Sequence, residues 1–315
     1  MSEKDAAYRG GAEAMSAAPS PSGWIPRLHG ALIAAALLAG GAAFAQPAAA
    51  QKVPPQRIVS LNVCTDQLLI LLAPREHIAA VSYLARDPEV SMLSEEAADI
   101  PITYGNAEQL IVAKPDLILA GAYTRANIPL LRQLGFNVVE VPPATTLDEV
   151  SDNIRAVGEA IGETEKAEAM VAEIEAELAA LRDDDSESPV VAPLYANAYT
   201  SGPGTLVDAV IEEAGLTSIG KELGISGMQK LSLETLLMKR PDALLLPDHR
   251  YSGDALAYDI FRHPALRALK DQIPSLDWDS AATVCGTPNL VHVVKRLHAF
   301  RDELIAAKTR EATAP

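Results

Sequence analysis

Cysteine is scarce in this 315-residue chain: only Cys64 and Cys285 occur. Two thiols cannot staple a disulfide scaffold, and alone they cannot supply a four-cysteine zinc or iron–sulfur site. Histidine is nearly as rare. The 6 present form no cluster and no His-rich loop, so a bare zinc or manganese site lacks converging ligands. Positive charge is also short, with 26 Lys+Arg against 42 Asp+Glu and a net charge of −16. Such a chain repels phosphate backbones, which argues against nucleic-acid binding, and an anionic membrane surface is a poor partner for the same reason. Long apolar runs are missing apart from Ala31–Ala39, which is too short to span a bilayer comfortably. There is no Gly-x-Ser-x-Gly elbow, no Walker loop and no His-Glu-x-x-His. Gly202-Pro203-Gly204 is a short turn, not a phosphate cradle. An exported α/β enzyme is therefore the weaker reading. The expectation is no enzymatic activity, no resident cofactor and no protein-held metal.

What is present is a globular composition, 49% apolar and 22% charged. Arg27 and His29 precede the apolar run. Small residues follow it, with Ala43-Phe44-Ala45 before Gln46 and Ala48-Ala49-Ala50 before Gln51. Basic, apolar and small-residue segments in that order make a secretory signal. Residues 1–50 are thus read as signal peptide and leader, with Met15 as an alternative start and a short membrane anchor as the competing reading. No cysteine stands near the cleavage site to take a lipid. The expectation is a soluble, monomeric protein in the periplasm.

Strand and helix patterns alternate from Arg57 onward. Buried strands are expected at Arg57–Asn62, Ile78–Ser82, Leu117–Ala120, Asn137–Val141, Val190–Tyr195 and Ala243–Leu246. Thr146 and Glu149 form a capping-box pair ahead of a helix bearing Val150, Ile154, Val157 and Ile161. Gly162 interrupts it, and a second helix is expected from Thr164 to about Arg182. The terminal helix is expected over Pro288–Leu304. The chain also repeats itself: Glu108–Leu119 lies over Glu234–Leu245 at a constant offset of 126 residues. Glu, Leu, Pro, Asp and the final Leu coincide. The fold class is α/β, with two similar Rossmann-like lobes joined by a long helix and a ligand cleft between them at the carboxyl ends of the strands. The boundaries are an N-terminal lobe at 55–145, linking helices at 146–188 and a C-terminal lobe at 189–308.

An ordered set of segments resembles one family. These are Arg57–Asn62 with Asp66 following, Asn106–Leu110, Ala113–Gly121, Leu134–Val141, Ser232-Leu233-Glu234 before Lys239–Leu246, and Cys285-Gly286-Thr287-Pro288 opening the last helix. Together they are similar to the helical-backbone periplasmic binding proteins that feed ABC importers of cobalamin, ferric siderophores and haem. The likeness runs over about residues 55 to 305. It implies limited hinge motion about the linking helix. It implies a small-molecule chelate or corrinoid as ligand and, as partners, an ABC permease dimer with its ATPase. It also implies one exposed glutamate per lobe docking onto permease arginines. Glu108 and Glu234 occupy matching places in the repeat and are the candidates.

The scarce aromatics concentrate in loops leaving the strands. Tyr83, Tyr104, Tyr123, Tyr199, Tyr251 and Trp278 are read as walls for a large ligand with flat apolar faces. Arg86, Arg125 and Arg250 stand beside tyrosines and suit carboxylates of an anionic chelate. His249 is a further candidate as a metal ligand or hydrogen-bonding group. Cys64 and Cys285, each at a loop-to-helix junction, carry three readings: a disulfide across the lobes, thiolates at the ligand, or two buried apolar residues. A tryptophan-poor cleft departs from the cobalamin pattern. A receptor for a bare or soft metal on the same fold remains the alternative.

Overall fold

The computed structural model describes residues 53–182, 187–247, 255–278 and 280–313. The first lobe holds β1 (Ile58–Ser60), α1 (Val63–Leu72), β2 (Ile78–Ser82), β3 (Ile102–Thr103), α2 (Ala107–Ala113), β4 (Leu117–Ala120), α3 (Ile128–Gln133) and β5 (Val138–Glu140). Its sheet runs β3-β2-β1-β4-β5 and is parallel throughout. Two helices follow, α4 (Leu147–Ile161) and α5 (Thr164–Ala179). The second lobe holds β6 (Val190–Pro193), β7 (Tyr199–Ser201), α6 (Leu206–Glu213), β8 (Thr217–Ser218), α7 (Ile219–Glu222), β9 (Met228–Lys230), α8 (Leu233–Lys239), β10 (Ala243–Pro247), α9 (Asp259–Arg262), α10 (Pro264–Lys270), β11 (Ser275–Trp278) and α11 (Leu290–Thr313). Its parallel sheet runs β11-β10-β6-β8, and β7 pairs with β9 in an antiparallel ribbon.

The central strands are continuous apolar runs because both faces of a parallel sheet are covered. Leu117–Ala120 and Ala243–Leu246 are buried at every position. The capping box read from sequence is formed: Thr146 Oγ1 accepts from Glu149 N at 3.2 Å, and Glu149 reaches back to Thr146 N. Gly162 ends α4 at φ +83°, a conformation that favours glycine, and the chain turns into α5. The connection between lobes is thus a pair of packed helices, and α5 closes at Ala179, three residues before the expected Arg182. The last helix runs longer than expected, from Leu290 to Thr313.

The internal repeat is physical. Lys114 and Arg240, at equivalent places, end α2 and α8 in the left-handed region. A Pro-Asp pair follows each. The Asp116 carboxylate accepts from Gln56 N at 2.7 Å and Arg57 N at 3.0 Å; the Asp242 carboxylate accepts from Val190 N at 2.7 Å. Each carboxylate pins the start of its lobe's central strand. A second matched pair was not legible beforehand. Asp66 on α1 accepts from the Ser82 amide at 3.1 Å and from its hydroxyl, and Asp208 on α6 accepts from the Ser218 hydroxyl. Both join a helix to the end of the strand it precedes.

Two apolar clusters belong to single lobes, around Ile118 and Leu131 in the first and Leu244 and Leu266 in the second. The largest belongs to both. It runs from Ile58 and Leu68 through Ile154, Val157, Val171 and Ile174 to Val191, Val210, Trp278 and Leu297.

Burial is the main reason the Asp66 carboxyl is pushed up from 3.8 to about 6, against its serine hydrogen bonds. The folded protein therefore holds that proton more tightly than the unfolded chain. Asp66's contribution is fully present below about pH 4 and declines as pH rises to about 6, on the order of 3 kcal/mol in all. Asp66→Asn keeps an acceptor for the Ser82 amide and cannot ionise. Denaturation midpoints across this range should fall with pH more steeply for the wild type than for the variant; parallel profiles would refute the assignment. Gly158 on α4 faces Ala167 on α5 so closely that a Cβ at 158 would overlap the alanine methyl. Gly158→Ala should cost about 1–3 kcal/mol by forcing the helices apart, and an unchanged urea midpoint would contradict that packing.

Candidate functional site

The carboxyl ends of β1, β4 and β5 open onto a recess of about 100 Å³. Asn62 follows β1, Ala122 follows β4, and Val141–Ala144 follows β5. Val284 and Gly286, from the segment between β11 and α11, close the other side. The recess therefore lies where the second lobe's chain meets the first lobe's strand ends. Asn62 is also the N-cap of α1, its side chain accepting from Cys64 N at 3.0 Å. Gly121 lies against the Asn62 side chain, where an added Cβ would come within 2.6 Å. A glycine at 121 is what lets Asn62 occupy this wall. None of Asn62, Pro142, Pro143, Val284 and Gly286 was read from sequence as lining a site, since loop residues of these types carry no such signal until the strands are aligned.

Cys64 and Cys285 are joined as a disulfide, with Cα atoms 5.0 Å apart across a sequence separation of 221 residues. This corrects the thiolate reading, because bonded sulfurs neither ionise nor ligate a soft metal as thiolates. The bond ties the first turn of α1 to the segment entering α11, with Cys64 on the wall of the recess.

Of the aromatics, Tyr83 and Tyr104 come together. They follow β2 and β3, which pair at Ser82 and Thr103. Their exposed rings stack, with centroids 5.2 Å apart and planes inclined by 28°. The Gln109 amide oxygen accepts from Tyr104 N at 2.9 Å and Thr103 Oγ1 at 3.1 Å, holding that loop. Trp278 requires correction. It ends strand β11 instead of lying in a loop, is buried in the shared core, and packs at 6.4 Å on the ring of Tyr195. The little surface it keeps lines a separate recess of about 160 Å³, with Met92, His292 and Arg296. Tyr199 sits half-buried on β7, bridged to Tyr195 and paired with Lys230 in the ribbon. Tyr123 lies on the turn Ala122–Asn127, next in sequence to Ala122 of the recess wall.

The arginines divide. Arg86 is exposed and donates to the carbonyls of Ala97 at 3.2 Å and Ile100 at 2.5 Å, contacts that brace its own lobe. Arg125 lies at the carboxyl edge, where its Nε meets Glu140 Oε1 at 2.6 Å. This pair places one cation and one anion between the ends of β4 and β5. His249, Arg250 and Tyr251 lie outside the described residues. Among the described residues no group of three His, Cys, Asp or Glu side chains converges on a metal-sized point.

Glu108 and Glu234 are both exposed, each the second residue of its short helix. In a parallel α/β unit, helix starts lie at the edge where strands end. Both carboxylates therefore stand at the edge from which the recess opens. The Glu234 carboxyl is held below its usual range by its own backbone N–H and then by the Ser232 hydroxyl.

Residues 58–271 match the sequence profile of the periplasmic binding protein family. A cobalamin-binding protein of Halobacterium salinarum is 30% identical over 198 residues, which are 61% of this chain and 53% of that protein. An ABC transporter substrate-binding lipoprotein of Bacillus subtilis is 24% identical over 209 residues, 62% of this chain and 65% of its own. The match thus spans only about half to two thirds of these relatives' length. The solved structure of a periplasmic haem-binding protein from Roseiflexus is similar with a TM-score of 0.62 at 24% identity, covering 78% of this chain and 98% of that one. It shares the fold. With more than half its length inside the family profile and the two-lobed architecture in place, this chain belongs to the periplasmic binding protein family, a family of binding proteins rather than enzymes.

Proposed function

We propose that the protein is the exported substrate-binding component of an ABC importer and that it captures a corrinoid or another metal chelate, such as haem or a ferric siderophore. The observation that carries this reading is the exposed Tyr83–Tyr104 stack after β2 and β3, at the same carboxyl edge of the sheet as the recess beyond β1, β4 and β5. Aromatic faces held outward by a rigid sheet edge bind flat apolar surfaces at little entropy cost. A chelate brings its own metal, so shape and a few polar groups suffice, and the Arg125–Glu140 pair supplies both signs of charge there. The cobalamin-binding relative favours the corrinoid among these ligands. Export through the N-terminal signal agrees with the disulfide, which needs an oxidising compartment. Glu108 and Glu234 would dock onto basic residues of the permease, one per lobe, setting orientation and on-rate.

Titration of the purified protein with cyanocobalamin, and in parallel with haemin, should give saturable 1:1 binding without turnover to at least one of them. Tyr83→Ala combined with Tyr104→Ala should weaken it about tenfold. No binding of either ligand would remove the corrinoid and haem and leave the ferric siderophore of this set; undiminished affinity in the double variant would defeat the aromatic wall. Glu108→Ala with Glu234→Ala should bind like the wild type yet fail to restore uptake in cells lacking the native protein; full uptake would remove the docking role.

A further inference from the structure

Helices α2 and α8 match in more than their glutamates. Leu110 and Leu236, two residues further on, are buried and fix the rotation of each helix about its axis. That rotation turns the next two positions outward. Ile111 is 54% exposed and Val112 80%; Leu237 is 39% exposed and Met238 78%. Residues at i, i+3 and i+4 share one face of a helix. Each lobe therefore presents a carboxylate with two large aliphatic side chains beside it, Glu108 with Ile111 and Val112, and Glu234 with Leu237 and Met238. Outward positions on a surface helix are normally polar. Here the pattern is broken twice, at equivalent places and with different residues, so shape is not repeated but hydrophobicity is. In the first lobe the ridge borders a groove of about 540 Å³ that reaches the sheet at Val59 and Ala80.

We infer that these two aliphatic pairs form a duplicated docking ridge for a two-subunit integral-membrane partner, each subunit of which offers an apolar patch flanked by a basic side chain. The inference rests on the importer reading above for naming the permease as that partner, and it adds the contacts that hold the complex once the carboxylates have oriented it. A surface that occurs twice on one chain fits a partner that is itself double. A second copy of this chain fits poorly, since it would bring glutamate to glutamate in a protein of net charge −16. The division of labour follows from the chemistry: rim charges steer and set register, while buried aliphatic area holds the complex and governs its dissociation.

The test uses a photoreactive benzoylphenylalanine at position 112 or 238 of the full-length protein, expressed in its native cells. Both positions should cross-link to the same polytopic membrane protein, identified by mass spectrometry. With the label at 112, Met238→Asp should lower the yield about fivefold, and with the label at 238, Val112→Asp should do the same, because both ridges must seat together. Both side chains are highly exposed, so thermal melting should not change. Adducts of the chain with itself or with soluble proteins, absence of adducts, or yields indifferent to the opposite aspartate would each overturn the inference. Cross-linking does not depend on the cargo, so a failed cyanocobalamin or haemin titration would count against the ligand and leave the ridge standing.

Discussion

The apolar cluster that belongs to both lobes is the constraint on which the rest depends. It threads from the first sheet through α4 and α5 into the second sheet and α11. Neither lobe completes it alone. Swinging one lobe away would expose part of that core at about 25 cal/mol for each Å² of apolar surface, a cost that grows quickly with amplitude. The disulfide acts in the same direction from another side, since it joins α1 of the first lobe to the chain entering α11. The walls of the recess are therefore set by folding. A ligand bound there, as proposed, would meet a site already shaped, with discrimination falling to the strand ends and the loops that leave them.

Duplication is the second organising fact. Each lobe pins its central strand with a Pro-Asp carboxylate and ties a helix to a neighbouring strand with a buried Asp–Ser contact. The first device was readable as a repeat because its offset is constant. The second was not, because Asp66 and Ser82 are 16 residues apart whereas Asp208 and Ser218 are 10 apart, so no constant offset superimposes them. Physically the two are equivalent, and they explain how short strands of two to five residues stay aligned.

At the site, legibility followed how local the cause was. Tyr83 and Tyr104 were nameable one at a time from their places after apolar strands, but their stacking depends on the pairing of Ser82 with Thr103, a relation between distant segments. Trp278 misled because Ser275–Trp278 contains exposed Ser275 and Asp277 and does not read as a strand. Pairing with β10 is what turns its indole into the core. The contacts of Arg86 with the Ala97 and Ile100 carbonyls were unreadable for a related reason, since they join it to residues 11 and 14 positions on. The exposed aliphatic pairs on α2 and α8 were inside the recognised repeat, but only the burial of Leu110 and Leu236 shows which way they face.

The bond between Cys64 and Cys285 has one more consequence. It turns a span of 221 residues, containing most of both lobes, into a closed ring. A single peptide cut anywhere inside that ring leaves every fragment on one covalent skeleton, with the shared core still holding the pieces in place. A nicked copy would remain one molecule, and its shape would outlast the continuity of its backbone.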